Sequence, residues 1–324
     1  MNDSYGRELN YLRVSVTDRC NFRCLYCMPE EGVHFIPHEN IVTYEDIDFL
    51  LGVLIPMGIR KVRFTGGEPL VRRGFLGFLK DLKRNRPQLK IALTTNGSLV
   101  RLFAEELGAV GLSGLNVSLD TIDKEKFKTV TRTDEFENVM EGIDIIGKKL
   151  NIPLKINTVA IKGFNDDEIE NLIDFAREKN AVIRFIEFMP LDCSVWSKDN
   201  FLSADDILAC LPGGAGTWEK EDVSASHGTD GPAVYYRNVH TNQRVGIIAA
   251  VSSHFCDKCN RLRVTANGEL RTCLFAEKGQ DILPLLRARN EEALREAVIS
   301  SVRMKPKGWQ FLPETQKHMW QIGG

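Results

Sequence analysis

Residues 12–27 read Leu-Arg-Val-Ser-Val-Thr-Asp-Arg-Cys-Asn-Phe-Arg-Cys-Leu-Tyr-Cys. The opening, Leu12–Val16, alternates like a strand, with Leu12, Val14 and Val16 on one face and Arg13, Ser15 and Thr17 on the other, because successive strand side chains face opposite sides. It runs into a loop carrying Cys20, Cys24 and Cys27. Further strands are expected at Lys61–Thr65, Ile91–Thr95, Gly114–Ser118, Leu154–Val159 and Val182–Glu187. Amphipathic helices are expected between them at Tyr44–Met57, Phe75–Arg84, Leu99–Leu107, Glu135–Leu150 and Asp166–Lys179. Strands alternating with helices predict parallel βαβ units. A closed TIM barrel needs eight strands, so six predict an α/β fold of the incomplete, open (β/α)6 type.

Parallel strands covered on both faces usually read as continuous apolar runs. These strands do not. Lys61, Arg63 and Thr65 oppose Val62 and Phe64; Asn116 and Ser118 oppose Leu115 and Val117; Lys155 and Asn157 oppose Leu154 and Ile156. A filled barrel interior would be rich in Val, Ile and Leu. A polar, cationic face on several strands points to a chamber for a charged ligand. The competing reading is a solvent-facing sheet surface.

The pattern changes near residue 212, where Leu211–Gly216 reads as a linker or turn. Strand-like segments follow at Ala233–Val239, Arg244–Val251, Leu262–Thr265 and Glu269–Leu274, the last two joined through Asn267-Gly268, a hairpin signal. Glu291–Arg303 reads as a helix. The expected organisation is a barrel over residues 1–212 and a smaller α+β region over 213–324 that closes its open side.

Lys and Arg number 42 against 44 Asp and Glu, a net charge of −2. That balance argues against nucleic acid or an anionic membrane as partner. The polar start, MNDSYGRELN, argues against a signal peptide, and no apolar run is long enough to span a bilayer. A cytoplasmic address is expected. There, cysteines serve as metal ligands, catalytic thiols or core fillers more often than as disulfides. Eight are present, and the isolated Cys193 and Cys210 are expected to be buried fillers.

The loop after the first strand lies where such folds place active sites. Four-iron clusters usually take four thiolates. Cys20, Cys24 and Cys27 supply three, which leaves one iron open to bind S-adenosylmethionine and pass an electron into its sulfonium. Methionine and a 5′-deoxyadenosyl radical would result, the cofactor carrying the difficult chemistry. Zinc with a distant fourth ligand is the alternative. The C-x3-C-x2-C spacing, with Tyr26 before the last cysteine, resembles the radical S-adenosylmethionine superfamily. Thr65-Gly66-Gly67-Glu68-Pro69 resembles the Gly-Gly-Glu motif of that superfamily, where glycines allow close backbone approach.

Cys256, Cys259 and Cys273 form a second set. By spacing alone it fits a second open-iron cluster or a Cys3His zinc site completed by His254. Resemblance separates the two. The whole chain is similar to the GTP 3′,8-cyclase family of molybdenum cofactor biosynthesis. The similarity runs through Thr94–Gly97, Asn116–Asp120, Lys155–Val159, Arg184–Met189 and Phe255–Arg263 to Ile322-Gly323-Gly324. It implies two [4Fe–4S] clusters, S-adenosylmethionine, and GTP as substrate. By motif, Tyr26, Gly67, Ser118 and Met189 would contact S-adenosylmethionine. Arg13, Arg63, Thr94, Lys155, Arg261, Leu262 and Arg263 would contact GTP, with Lys61 and Arg72 as weaker candidates. Arg184, Gly323 and Gly324 would matter for turnover. The resemblance also implies a flavodoxin- or ferredoxin-type electron donor, a downstream cyclic pyranopterin monophosphate synthase and a homodimer. Two alternatives are a peptide-modifying radical enzyme and a non-enzymatic zinc module.

Overall fold

The computed structural model describes residues 1–191, 195–221, 231–312 and 319–322. Six parallel strands open the fold: β1 (Tyr11–Ser15), β2 (Lys61–Thr65), β3 (Lys90–Thr95), β4 (Gly114–Ser118), β5 (Leu154–Ala160) and β6 (Ala181–Glu187). All six expected strands are present, each within a residue of its expected start. Between them lie α1 (Tyr44–Leu54), α2 (Phe75–Asn85), α3 (Ala104–Val110), α4 (Lys124–Thr131), α5 (Phe136–Lys149) and α6 (Ile169–Glu178). The apolar strand faces, including Leu12, Val14, Val62, Phe64, Leu115, Val117 and Ile156, join one core with buried helix residues such as Leu50, Leu79, Val139 and Leu172.

Two helix expectations need correction. Leu99–Leu107 is a 3-10 turn, Val100–Leu102, then a break at Phe103 before α3 begins. The helix α4 was not expected, although Asp123 caps it, accepting from the Glu125 and Lys126 amides at 2.9 Å each.

The C-terminal segment adds strands to both edges of the sheet. After α7 (Ala204–Ala209), β7 (Trp218–Lys220) and β8 (Val234–Asn238) form an antiparallel ribbon with β9 (Arg244–Ile248). Strand β9 lies parallel to β6. At the other edge β10 (Arg261–Val264) lies parallel to β1, followed by β11 (Glu269–Arg271) and β12 (Gln280–Asp281). Among the described residues the result is one open twelve-stranded sheet, a partial barrel. Asn267-Gly268 makes the β10–β11 turn, with Gly268 at φ 78°. The following strand is shorter than expected, stopping at Arg271 before Cys273. The helices α8 (Leu283–Arg287) and α9 (Glu291–Arg303) pack against α1. No helix among the described residues is long and apolar enough to cross a membrane.

Cys210 is not a buried filler. It is exposed at the C-terminal end of α7, a short helix whose one buried residue is Ile207. Cys193 lies outside the described residues.

Candidate active site

The polar strand faces turn inward and line a chamber. Its wall includes Arg13, Lys61, Arg63, Thr94, Asn116, Ser118, Lys155, Asn157 and Arg184 from the six barrel strands, and Arg261 and Arg263 from β10. These residues are not an ordinary solvent-facing surface: Arg63 is 6%, Arg184 5% and Arg263 7% exposed. The β1–β10 register sets Arg13 beside Arg263 and Tyr11 beside Arg261. Leu262 points the other way and is wholly buried in the core, so only its backbone can face the chamber. Arg72 is not among the lining residues. Its guanidinium donates to the Val16 and Val42 carbonyls and stacks on Tyr44, 4.3 Å from the ring centre. It is a strut behind the cysteine loop, which corrects its candidacy as a GTP contact.

Cys20, Cys24 and Cys27 stand at one end of the chamber with Tyr26 and Gly67. The Gly-Gly-Glu turn grips the cysteine loop: Gly67 N donates to Thr17 O at 2.7 Å and Glu68 N to Arg19 O at 2.8 Å. A Cβ on Gly67 would stand 2.2 Å from the Arg19 carbonyl oxygen, so a side chain here would push the cysteine loop away. The close approach expected of this glycine therefore serves the protein's own loop. The Glu68 carboxylate is buried beneath the turn. It accepts from Leu70 N at 3.0 Å, Thr95 Oγ1 at 2.8 Å and Asn96 N at 2.7 Å. Burial pushes it up to about 7 against those hydrogen bonds.

Burial, with help from Glu68, raises the Cys20 thiol to about 11, and burial raises Cys24 well above its ordinary value. Such thiols become good ligands when a metal supplies the compensating charge. Tyr26 donates to Asp120 Oδ2 at 2.5 Å. Burial lifts Asp120 to about 6 although Tyr26 and the Val159 amide both favour its charge.

Cys256, Cys259 and Cys273 line a side pocket that shares Met189, Phe255, Arg261 and Arg263 with the chamber. Burial would raise Cys259, but Arg261 and Lys305 bring it down to about 6. His254 is not among the residues lining this pocket; its Nδ1 accepts from Trp309 Nε1 at 3.2 Å. Among the described residues no three His, Cys, Asp or Glu side chains converge as a single metal ion requires. Each set instead offers three cysteines to the chamber or its side pocket, the number that leaves one iron of a four-iron cluster open.

Several residues of the site were not singled out as ligand contacts from sequence. Tyr11 accepts from Arg63 Nε at 2.7 Å, and Lys61 Nζ stands 4.9 Å from the centre of its ring. Asn157 Oδ1 accepts twice from Arg184, at 2.9 and 2.6 Å. Asn116 is 5% exposed, and its Oδ1 has no hydrogen-bond partner. For Asn116 and Asn157, membership in the polar strand faces is the available signal; Tyr11 precedes the expected first strand and carries none. Gly323 and Gly324 lie outside the described residues.

The crowding of cations has a measurable signature at Tyr11. Burial would raise its phenol, but Arg63, Arg13 and Lys61 lower it to about 7. The folded state therefore prefers phenolate, so this contribution to stability is complete above the ordinary value near 10 and is lost as pH falls through about 7. Ultraviolet difference titration should show one phenol ionising near neutrality in the wild type and none there in Tyr11→Phe. Identical titrations of the two proteins would refute the assignment.

Residues 14–176 match the radical SAM superfamily, and residues 181–311 match the family described as Molybdenum Cofactor Synthesis C. A GTP 3′,8-cyclase of Thermodesulfovibrio yellowstonii is 40% identical over the whole of both chains. One of Peptoclostridium acidaminophilum is 41% identical over 99% of this chain and 98% of its own. Among solved structures, Streptococcus suis SuiB superposes with a TM-score of 0.60 at 15% identity, covering 90% of this chain and 68% of that one, a likeness of fold.

Proposed function

The chain belongs to the GTP 3′,8-cyclase family of the radical S-adenosylmethionine superfamily, and on that premise we propose that it converts GTP to (8S)-3′,8-cyclo-7,8-dihydroguanosine 5′-triphosphate, the first step of molybdenum cofactor biosynthesis. The observation that carries this reading is the convergence of Arg13, Lys61, Arg63, Lys155 and Arg263 on one chamber walled by the first thiolate set and adjoining the second. A triphosphate is a ligand that matches so many cations facing one chamber, through charge-assisted and bidentate hydrogen bonds.

Cys20, Cys24 and Cys27 would hold one [4Fe–4S] cluster, and Cys256, Cys259 and Cys273 the other. With S-adenosylmethionine bound, the first cluster would supply the radical chemistry that acts on the ribose C3′–H of GTP and joins C3′ to guanine C8. The protein's own part is placement. Tyr26, Gly67, Ser118 and Met189 form the S-adenosylmethionine wall in this reading. Arg13, Arg63, Thr94, Lys155, Arg261 and Arg263 grip GTP, with Leu262 contributing backbone. Arg184, oriented by Asn157, faces the reacting centre, and Gly323 and Gly324 assist turnover by family resemblance. A substrate held still in a closed site reacts along one path and is shielded from side reactions.

The barrel over residues 1–212 and the second-cluster region over 213–324 are the working division of labour. A flavodoxin- or ferredoxin-type donor, a cyclic pyranopterin monophosphate synthase downstream, a homodimer and a cytoplasmic address complete the proposal. Anoxic reconstitution, reduction and product analysis test it. With S-adenosylmethionine and GTP, 5′-deoxyadenosine and a cyclised nucleotide are expected together. Cofactor cleavage triggered by peptides but not by GTP would overturn it.

A further inference from the structure

We propose that Lys305 is the positioning cation of the second cysteine set: it ties two of the three cysteine arms together and raises the reduction potential of the cluster they hold. This rests on the reading that Cys256, Cys259 and Cys273 carry a cluster. Lys305 lies just beyond the C-cap of α9, Met304, and is 3% exposed. Its Nζ lies 3.6 Å from Cys259 Sγ and 3.1 Å from the Arg261 carbonyl oxygen, and it also donates to the Thr272 carbonyl. An ammonium has three protons and no lone pair. Three acceptors surround it, so each proton has a partner and the charged form fits the pocket. A neutral amine would turn a lone pair toward one of those acceptors.

The three contacts have a spatial meaning. Arg261 lies two residues after Cys259, and Thr272 immediately precedes Cys273. One side chain therefore fixes the separation of those two arms. The segment that carries Lys305 is itself locked to the third arm. Arg7, paired with Asp3 at 2.5 Å, donates to the carbonyls of Cys256 at 2.8 Å, Pro306 at 2.7 Å and Lys307 at 3.0 Å.

Charge follows from the same geometry. A buried cation beside a thiolate acts through a medium of low dielectric, where it is felt strongly. It favours the electron-richer, reduced state, and hydrogen bonds to sulfur are a recognised control on cluster potentials. Arg261 adds a second charged donor, its Nη2 3.6 Å from the same sulfur. In the first set, Cys20 Sγ instead accepts from neutral groups, the Phe22 amide at 3.3 Å and Asn96 Nδ2 at 3.9 Å. Cys259 thus has charged donors where Cys20 has neutral ones, and Lys305 is one of them.

The test uses full-length protein, reconstituted without oxygen, as wild type, Lys305→Gln and Lys305→Arg. Iron, sulfide and zinc are measured first, and reduction is then followed by electron paramagnetic resonance during a redox titration. One of the two midpoint potentials should fall in Lys305→Gln and stay close to wild type in Lys305→Arg, while the other does not move in either variant. Unshifted potentials in a doubly loaded Lys305→Gln protein would overturn the proposal. If the Gln variant loads a single cluster, two clusters in the Arg variant support the cation. A single cluster in both variants overturns it, because lysine's shape rather than its charge would then be what matters. Zinc in place of iron in the second set of the wild type would instead remove the underlying cluster reading.

Discussion

Cys24→Ala should yield a folded protein that makes no detectable 5′-deoxyadenosine, with iron falling from about eight to about four per chain. Cys24 packs against the core and faces the chamber. Losing its sulfur costs the fold roughly 1 kcal/mol, the transfer energy of one small buried group, which a domain of ordinary stability tolerates. The chemical loss is of another order. Cys20 and Cys27 alone leave the first cluster with two thiolates. The second set lies on the C-terminal segment and keeps its own ligands. Iron, sulfide and 5′-deoxyadenosine assays on the anoxic variant check the prediction. Unchanged cofactor cleavage would mean that Cys24 is not a ligand.

What the sequence revealed about this site was what is local or periodic. Leu12–Val16 alternates, so Arg13 was assigned a face before any strand was placed. The register of β10 on β1 then added a fact that no pattern contains: Arg13 and Arg263 are neighbours, though some 250 residues lie between them in the chain. Lys305 was illegible for the same reason. Its partners Cys259 and Thr272 are 46 and 33 residues away, and a lysine after a helix usually reads as solvent-exposed. Arg72 shows the opposite error. A cation near a motif has no visible direction, and this one turns to backbone carbonyls outside the chamber. Cys210 was judged by residue type, yet the short helix it ends has too little buried surface to enclose it.

Arg263→Ala should weaken GTP binding by one to two orders of magnitude while leaving the nucleotide-free protein as stable as the wild type, or more so. From sequence Arg263 and Arg261 read alike as substrate contacts, and the structure separates them. Arg261 reaches Cys259 Sγ and stacks on Phe255, 4.7 Å from the ring centre. Removing it disturbs the second cysteine set as well as the substrate, so its loss cannot be read cleanly. Arg263 lies deeper, at 7% exposure, beside Arg13. Burial and then Arg261 bring its guanidinium down to about 10. For a base this means that the folded state disfavours the charge. Burial, with Arg263 next, lowers Arg13 further still. A fold that carries this repulsion gains from an anion placed between the two. Each charge-assisted hydrogen bond to phosphate contributes roughly 1.5–3 kcal/mol, which sets the expected loss of affinity at about ten- to a hundredfold. Arg263→Lys should restore only part of it, since an ammonium cannot reproduce the paired donors of a guanidinium. Calorimetric titration with GTP, together with thermal unfolding without nucleotide, separates the two accounts. An arginine kept for the fold would lose stability and keep affinity when replaced. An arginine kept for triphosphate loses affinity, and the empty chamber is relieved of a charge.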